Sequence, residues 1–68
     1  TAFRLEAIVS SSENRFAVIN GQRYRQGERL GELTLLTINR TDIVLQQRQQ
    51  QWVLDLGASI SLEDGGND

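Results

Sequence analysis

Apolar residues recur at alternate positions in short runs along this chain, and polar clusters with glycine separate the runs, which is the pattern of half-buried β-strands. Phe3-Arg4-Leu5-Glu6-Ala7-Ile8-Val9 opens the series. Strict alternation there puts Phe3, Leu5, Ala7 and Val9 on one face and Arg4, Glu6 and Ile8 on the other. Ser10 to Asn14 is turn material; Ser10 and Glu13 have capping-box spacing, but no helix-period run follows them. A second strand over Arg15–Ile19 then meets Asn20-Gly21, a pair suited to the two positive φ angles of a type I′ turn, and Gln22–Arg25 returns as the third strand. Gly27 and Gly31 mark two more turns.

The next run, Leu33-Thr34-Leu35-Leu36-Thr37-Ile38, changes parity between Leu35 and Leu36, so it implies a bulge or burial on both faces. Asn39 to Asp42 turns the chain into Ile43-Val44-Leu45. Gln46 to Gln51 reads as strand ends around a hairpin loop, and Trp52-Val53-Leu54-Asp55-Leu56 alternates again with Trp52, Leu54 and Leu56 inward. The expected fold is therefore all-β, a small barrel-like sandwich of two short antiparallel sheets with about six strands. Leu5, Val18, Leu45, Trp52, Leu54 and Leu56 are its expected core. Residues 1–56 are expected to form the domain and the acidic stretch 57–68 a flexible tail, to which Ile60 and Leu62 could add an edge strand.

Composition narrows the chemistry. A chain of 68 residues buries only about 60% of its unfolded surface, so the core is modest. Cys and His are both absent, which excludes disulfides, thiolate or imidazole metal sites, and Ser/His/Asp or Cys/His catalysis within the chain. The nine acidic residues are scattered along the sequence, and no catalytic, cofactor-binding or metal-binding group is assigned. All seven basic residues are Arg, and residues 1–56 carry them against six acidic residues. That near-neutral balance argues against a phosphate-driven nucleic-acid binder.

Leu5-Glu6-Ala7-Ile8, Ala17-Val18-Ile19-Asn20-Gly21, Gly27-Glu28-Arg29-Leu30, Leu36-Thr37-Ile38, Ile43-Val44-Leu45 and Trp52-Val53-Leu54 follow one another in a spacing that resembles the homology-region domain of bacterial type II secretion. The resemblance spans about residues 3–56 and points to the GspB/PulB/OutB family. The homology-region domain of GspC and the pilus-assembly PilP and MshK proteins look similar. What the resemblance implies is a periplasmic, non-catalytic scaffold domain without cofactor, on a protein held in the inner membrane by an N-terminal helix outside this sequence. The implied partners are the periplasmic domains of the outer-membrane secretin GspD, with other inner-membrane secretion components as further candidates.

Strand addition is the physical route that suits such a domain, because an open edge offers unpaired N–H and C=O groups to a partner's strand. The expected edge is the first strand: Phe3, Arg4, Leu5, Glu6, Ala7, Ile8 and Val9. Asn20, Gly21, Gly27 and Gly31 are expected to be structural turn residues. A more distant alternative is a small Sm-like or SH3-like barrel binding RNA or a peptide, with Arg23, Tyr24, Arg25 and Arg29 as its surface. Period-two geometry counts against it, since Tyr24 points away from Arg23 and Arg25.

Overall fold

The computed structural model describes residues 2–61, and every regular element among them is a strand. In chain order they are β1 (Ala2–Ser10), β2 (Arg15–Ile19), β3 (Gln22–Arg25), β4 (Arg29–Leu30), β5 (Leu33–Ile38), β6 (Asp42–Gln47), β7 (Gln50–Asp55) and β8 (Ser59–Ser61). They form two antiparallel four-stranded sheets, ordered β3-β2-β1-β8 and β4-β5-β6-β7. The all-β expectation of a sandwich of two antiparallel sheets holds, with eight strands where about six are expected and no closed barrel among the described residues. The two extra strands are β4, of two residues, and β8, of three. Strands this short carry too few residues to show a period.

Turn chemistry sets the hairpins. Asn20 (φ 53°) and Gly21 (φ 82°) both lie at positive φ between the paired residues Ile19 and Gln22, as a type I′ turn requires. Gly31 (φ 61°) opens the two-residue connection between Leu30 and Leu33. Gly27 (φ 93°) lies between β3 and β4, where the chain leaves one sheet for the other. At the β6–β7 hairpin the two-residue loop Arg48-Gln49 joins the pair Gln47 and Gln50, so the glutamine run is indeed strand ends and a turn. Arg48 takes the positive φ there, at 58°, and its carbonyl accepts a hydrogen bond from Gln46 Nε2 at 2.8 Å.

Two bulges decide which residues enter the core. Leu5 pairs with Ile19 and Ala7 with Val18, so Glu6 is an extra residue in β1. Leu35 pairs with Leu45 and Thr37 with Val44, so Leu36 is the extra residue in β5, where the sequence changes parity. The β5 bulge lets Leu33, Leu35 and Ile38 all be buried. The β1 bulge has the same effect and corrects the expected face: Ile8 packs against the core, whereas Val9 is exposed. No apolar parity break announces it, since Ala7, Ile8 and Val9 are all apolar.

Ten side chains are buried between the sheets: Leu5, Ala17 and Ile19 from one, Leu30, Leu33, Leu35, Ile38, Ile43, Leu45 and Leu54 from the other. Phe3, Ile8, Tyr24, Trp52, Ala58 and Ile60 pack around them, partly buried. Of the expected core, Leu5, Leu45 and Leu54 are inside and Trp52 is half-buried. Val18 is a correction, because it lies between the buried Ala17 and Ile19 and therefore faces outward. Leu56 is another, being 47% exposed. It follows the end of β7, in a turn where Ala58 N–H donates to Asp55 O and Gly57 adopts φ 86°, and Ala58 packs on the core instead. The boundary expected at Leu56 moves as well, since β8 pairs with β1 and Ile60 packs inward. The rest of the expected tail, residues 62–68, lies outside the described residues.

Short ties connect the sheets. Ile38 N–H donates to Gln26 Oε1 (2.8 Å), and Ile38 O accepts from an Arg15 guanidinium nitrogen (2.9 Å). At the other side Leu56 N–H donates to Thr41 O, and the chain then crosses to β1.

Two substitutions test this account in thermal or urea unfolding. Leu45→Ala should destabilise the domain by about 2–5 kcal/mol, as for other buried leucines. Nothing lies within 4 Å of a Cβ built on Gly21, so Gly21→Val should cost about 1–2 kcal/mol through backbone conformation alone. An unchanged midpoint for Gly21→Val would contradict the turn assignment.

Candidate interaction edges

Strand addition needs a backbone whose outward N–H and C=O groups are free, so the pairing of β1 on each side decides what the expected edge can do. On one side β1 follows β2 from Ser10 to Leu5. β2 ends at Ile19, yet the pairing continues through Asn20: its N–H donates to Arg4 O (3.2 Å), its Oδ1 accepts from Arg4 N–H (2.9 Å), and its Nδ2 donates to Ala2 O (2.9 Å). The turn residue thus acts as an extension of the strand. Its side chain takes the place of the backbone that has already turned away.

The other side of β1 is closed only in part. β8 pairs Ser61 with Ala2, Ile60 with Phe3 and Ser59 with Arg4. Leu5 is closed too, because its N–H donates to Ala58 O (3.1 Å) and its carbonyl accepts from Gly57 N–H (2.8 Å). Phe3, Arg4 and Leu5 are therefore interior to the sheet, which corrects their assignment to an edge. Beyond the bulge the situation changes: Glu6, Ala7, Ile8, Val9 and Ser10 have β2 on one side and no strand on the other among the described residues. A bulge bends and twists its strand, and the pairing with β8 stops where that bend begins.

The open run borders an apolar surface. Ala7 pairs with Val18 and Val9 with Phe16, and these four side chains share the outer face of the sheet. On the far side β3 contributes Arg23 opposite Val18 and Arg25 opposite Phe16. The Arg23 guanidinium stacks over the Phe16 ring, 5.4 Å from its centroid. Tyr24 faces the opposite way, packs against the core and donates its hydroxyl to Gln22 Oε1 at 2.8 Å. The basic and aromatic groups of Arg23, Tyr24, Arg25 and Arg29 consequently do not assemble into one stacking platform, and the RNA-binding alternative loses its geometric support.

The remaining edges are β3, β4, β7 and β8. Two concavities are open and lined mainly by polar and charged side chains. One of about 490 Å³ is lined by Arg29, Glu32, Thr34, Gln46, Gln47 and Arg48, with Gln47 Nε2 donating to Glu32 Oε1 at 2.7 Å. Among the described residues no polar or charged side chain is buried, and no three acidic groups are placed to hold a metal ion. No described helix is long and apolar enough to cross a membrane.

A sequence model of the family described as type II secretion system protein B matches residues 3–55. The chain belongs to that family. The match runs from β1 to the end of β7, and it assigns this domain to a component of the type II secretion machinery. Neither the curated proteins nor the solved structures returned a match to the chain.

Asn20 is the site residue whose second role the sequence conceals, because Asn-Gly is explained completely by the turn. Two variants separate the roles. Asn20→Gly keeps the positive φ and removes only the side-chain bonds to Ala2 and Arg4, for an expected loss of about 1 kcal/mol. Asn20→Ala also places an ordinary residue at positive φ, adding about 1–2 kcal/mol. Equal stability of wild type and Asn20→Gly would show that the side chain contributes nothing to closing β1.

Proposed function

We propose that this type II secretion protein B domain is a non-catalytic periplasmic scaffold that docks onto the periplasmic domains of the outer-membrane secretin by strand addition. The observation that carries the route is the half-closed first strand. β8 stops opposite Arg4, Gly57 and Ala58 close Leu5, and Glu6–Ser10 then present a side with no strand on it among the described residues, beside exposed Val9. An incoming strand would gain backbone hydrogen bonds along Glu6–Ser10, while its alternate side chains meet Ala7, Val9 and the flanking Phe16 and Val18. Backbone bonds supply affinity and the apolar strip supplies selectivity.

Membership of the secretion family supports the class of partner. The scaffold role agrees with the side-chain inventory, in which the ionisable groups are exposed or half-exposed and no buried polar centre assembles among the described residues. In the full-length protein the domain would sit in the periplasm, tethered to the inner membrane by a preceding helix, with other inner-membrane secretion components within reach. Secretion would depend on it for position rather than for chemistry.

Titrating the secretin's periplasmic region into the ¹⁵N-labelled domain should move the backbone amide signals of Glu6–Ser10 and of their β2 neighbours. Val9→Arg should weaken that binding by about tenfold, equivalent to about 1.4 kcal/mol, while leaving the fold intact because Val9 is already 43% exposed. Absence of any shift at high concentration would overturn the proposal, and shifts confined to other strands would overturn the assigned edge.

A further inference from the structure

Sheet edges are usually protected by brevity, charge, proline or a bulge. β4 and β8 are two and three residues long, β3 carries Arg23 and Arg25, and the open half of β1 begins at a bulge. β7 has none of these defences over most of its length. It is six residues long, pairs with β6 without a break, and reads Gln-Gln-Trp-Val-Leu before its first charge at Asp55. Its outer side carries no strand among the described residues. Val53, at 65%, has the highest exposure of the large apolar side chains described.

We propose that β7 is a homodimer edge, at which two copies of this chain pair β7 against β7 antiparallel about a two-fold axis passing beside Val53. The register follows from the pleat. Residues directly opposite in an antiparallel pair lie on the same face, so a self-pairing strand can centre only on a single residue if both sheets are to keep their inner faces together. Centring on Trp52 sets Gln51 against Val53 and Gln50 against Leu54, polar against apolar. Centring on Leu54 sets Val53 against the Asp55 carboxylate. Centring on Gln51 pairs little more than the start of the strand.

Centring on Val53 leaves no mismatch: Val53 meets its own copy, Trp52 meets Leu54, and the Gln51 amide meets the Asp55 carboxylate. Hydrogen-bond complementarity favours the same register. Asp55 already stands opposite Asp42 within the sheet, a like-charge neighbour that opposes pairing, and an amide donor on its other side is the better partner. Val44 lies opposite Val53 and Thr37 opposite Val44 on the outer face. The two-fold therefore joins the Val44–Val53 pairs of the two copies into one apolar band, edged on each side by Thr37, and Leu54 of the second copy covers half-buried Trp52. This inference concerns the chain alone and stands independently of secretin docking at β1.

The test uses the isolated domain, which lacks cysteine, so that its failure is separable from failure to bind secretin. Sedimentation equilibrium should show a concentration-dependent monomer–dimer equilibrium, and Val53→Lys should remain folded by circular dichroism but monomeric. Under mild oxidation Val53→Cys should form a disulfide-linked dimer much faster than a Glu13→Cys control in the exposed β1–β2 loop. A mixture of Gln51→Cys and Asp55→Cys should give the mixed disulfide, whereas Gln51→Cys alone should not exceed the control. A monomer at every concentration, or a dimer that survives Val53→Lys, overturns the proposal. A secretin strand binding at β7 of an otherwise monomeric chain would overturn it too.

Discussion

A β-strand has one inner face, and in this domain β1 and β5 keep theirs only by inserting an extra residue. Side chains alternate with a period of two, so a long strand that must curve around a small core loses its register with the core unless something resets it. Glu6 and Leu36 are the resets. Before Glu6 the inward residues are Phe3 and Leu5; after it the inward residue is Ile8. The same insertion bends β1 at the point where the pairing with β8 ends. One bulge thus sets both which face is buried and where the open edge begins.

The two sheets share the work unequally. β4 to β7 supply seven of the ten buried side chains and β1 to β3 supply three, so the second sheet holds most of the core and the first makes up its share with half-buried Phe3, Ile8, Tyr24 and Ile60. This division leaves the β1–β2–β3 sheet with an outer face that still carries apolar groups, Ala7, Val9, Phe16 and Val18, against a rim of arginine. Closure of the first half of β1 comes from Asn20 and from β8, two small devices at opposite sides of the strand.

The hairpins were legible in the sequence because each rests on a local signal. Asn20-Gly21 and Gly31 have only one good backbone explanation, and the Leu35-Leu36 parity change announces the β5 bulge directly. Glu6 carried no such mark. Three consecutive apolar residues follow it, so alternation continues through Val9 without contradiction and puts Val9 on the inner face. β8 escaped for a different reason. Ser59-Ile60-Ser61 gives one apolar residue in a polar stretch, and its pairing depends on a partner more than fifty residues away, which no local pattern encodes. Val18 and Leu56 were placed inward as apolar residues; the paired strand and the Gly57 turn direct them outward.

Amide hydrogen exchange of the ¹⁵N-labelled domain, alone and with the secretin's periplasmic region, tests the central claim that β1 is closed up to Leu5 and open beyond the bulge. The Arg4 and Leu5 amides should exchange slowly in both samples, because Asn20 Oδ1 and Ala58 O hold them. The amides of Glu6–Ser10 that point away from β2 should exchange fast in the free domain and slow down in the complex. Fast exchange at Leu5, or outward amides beyond Glu6 whose rate secretin leaves unchanged, would contradict the account.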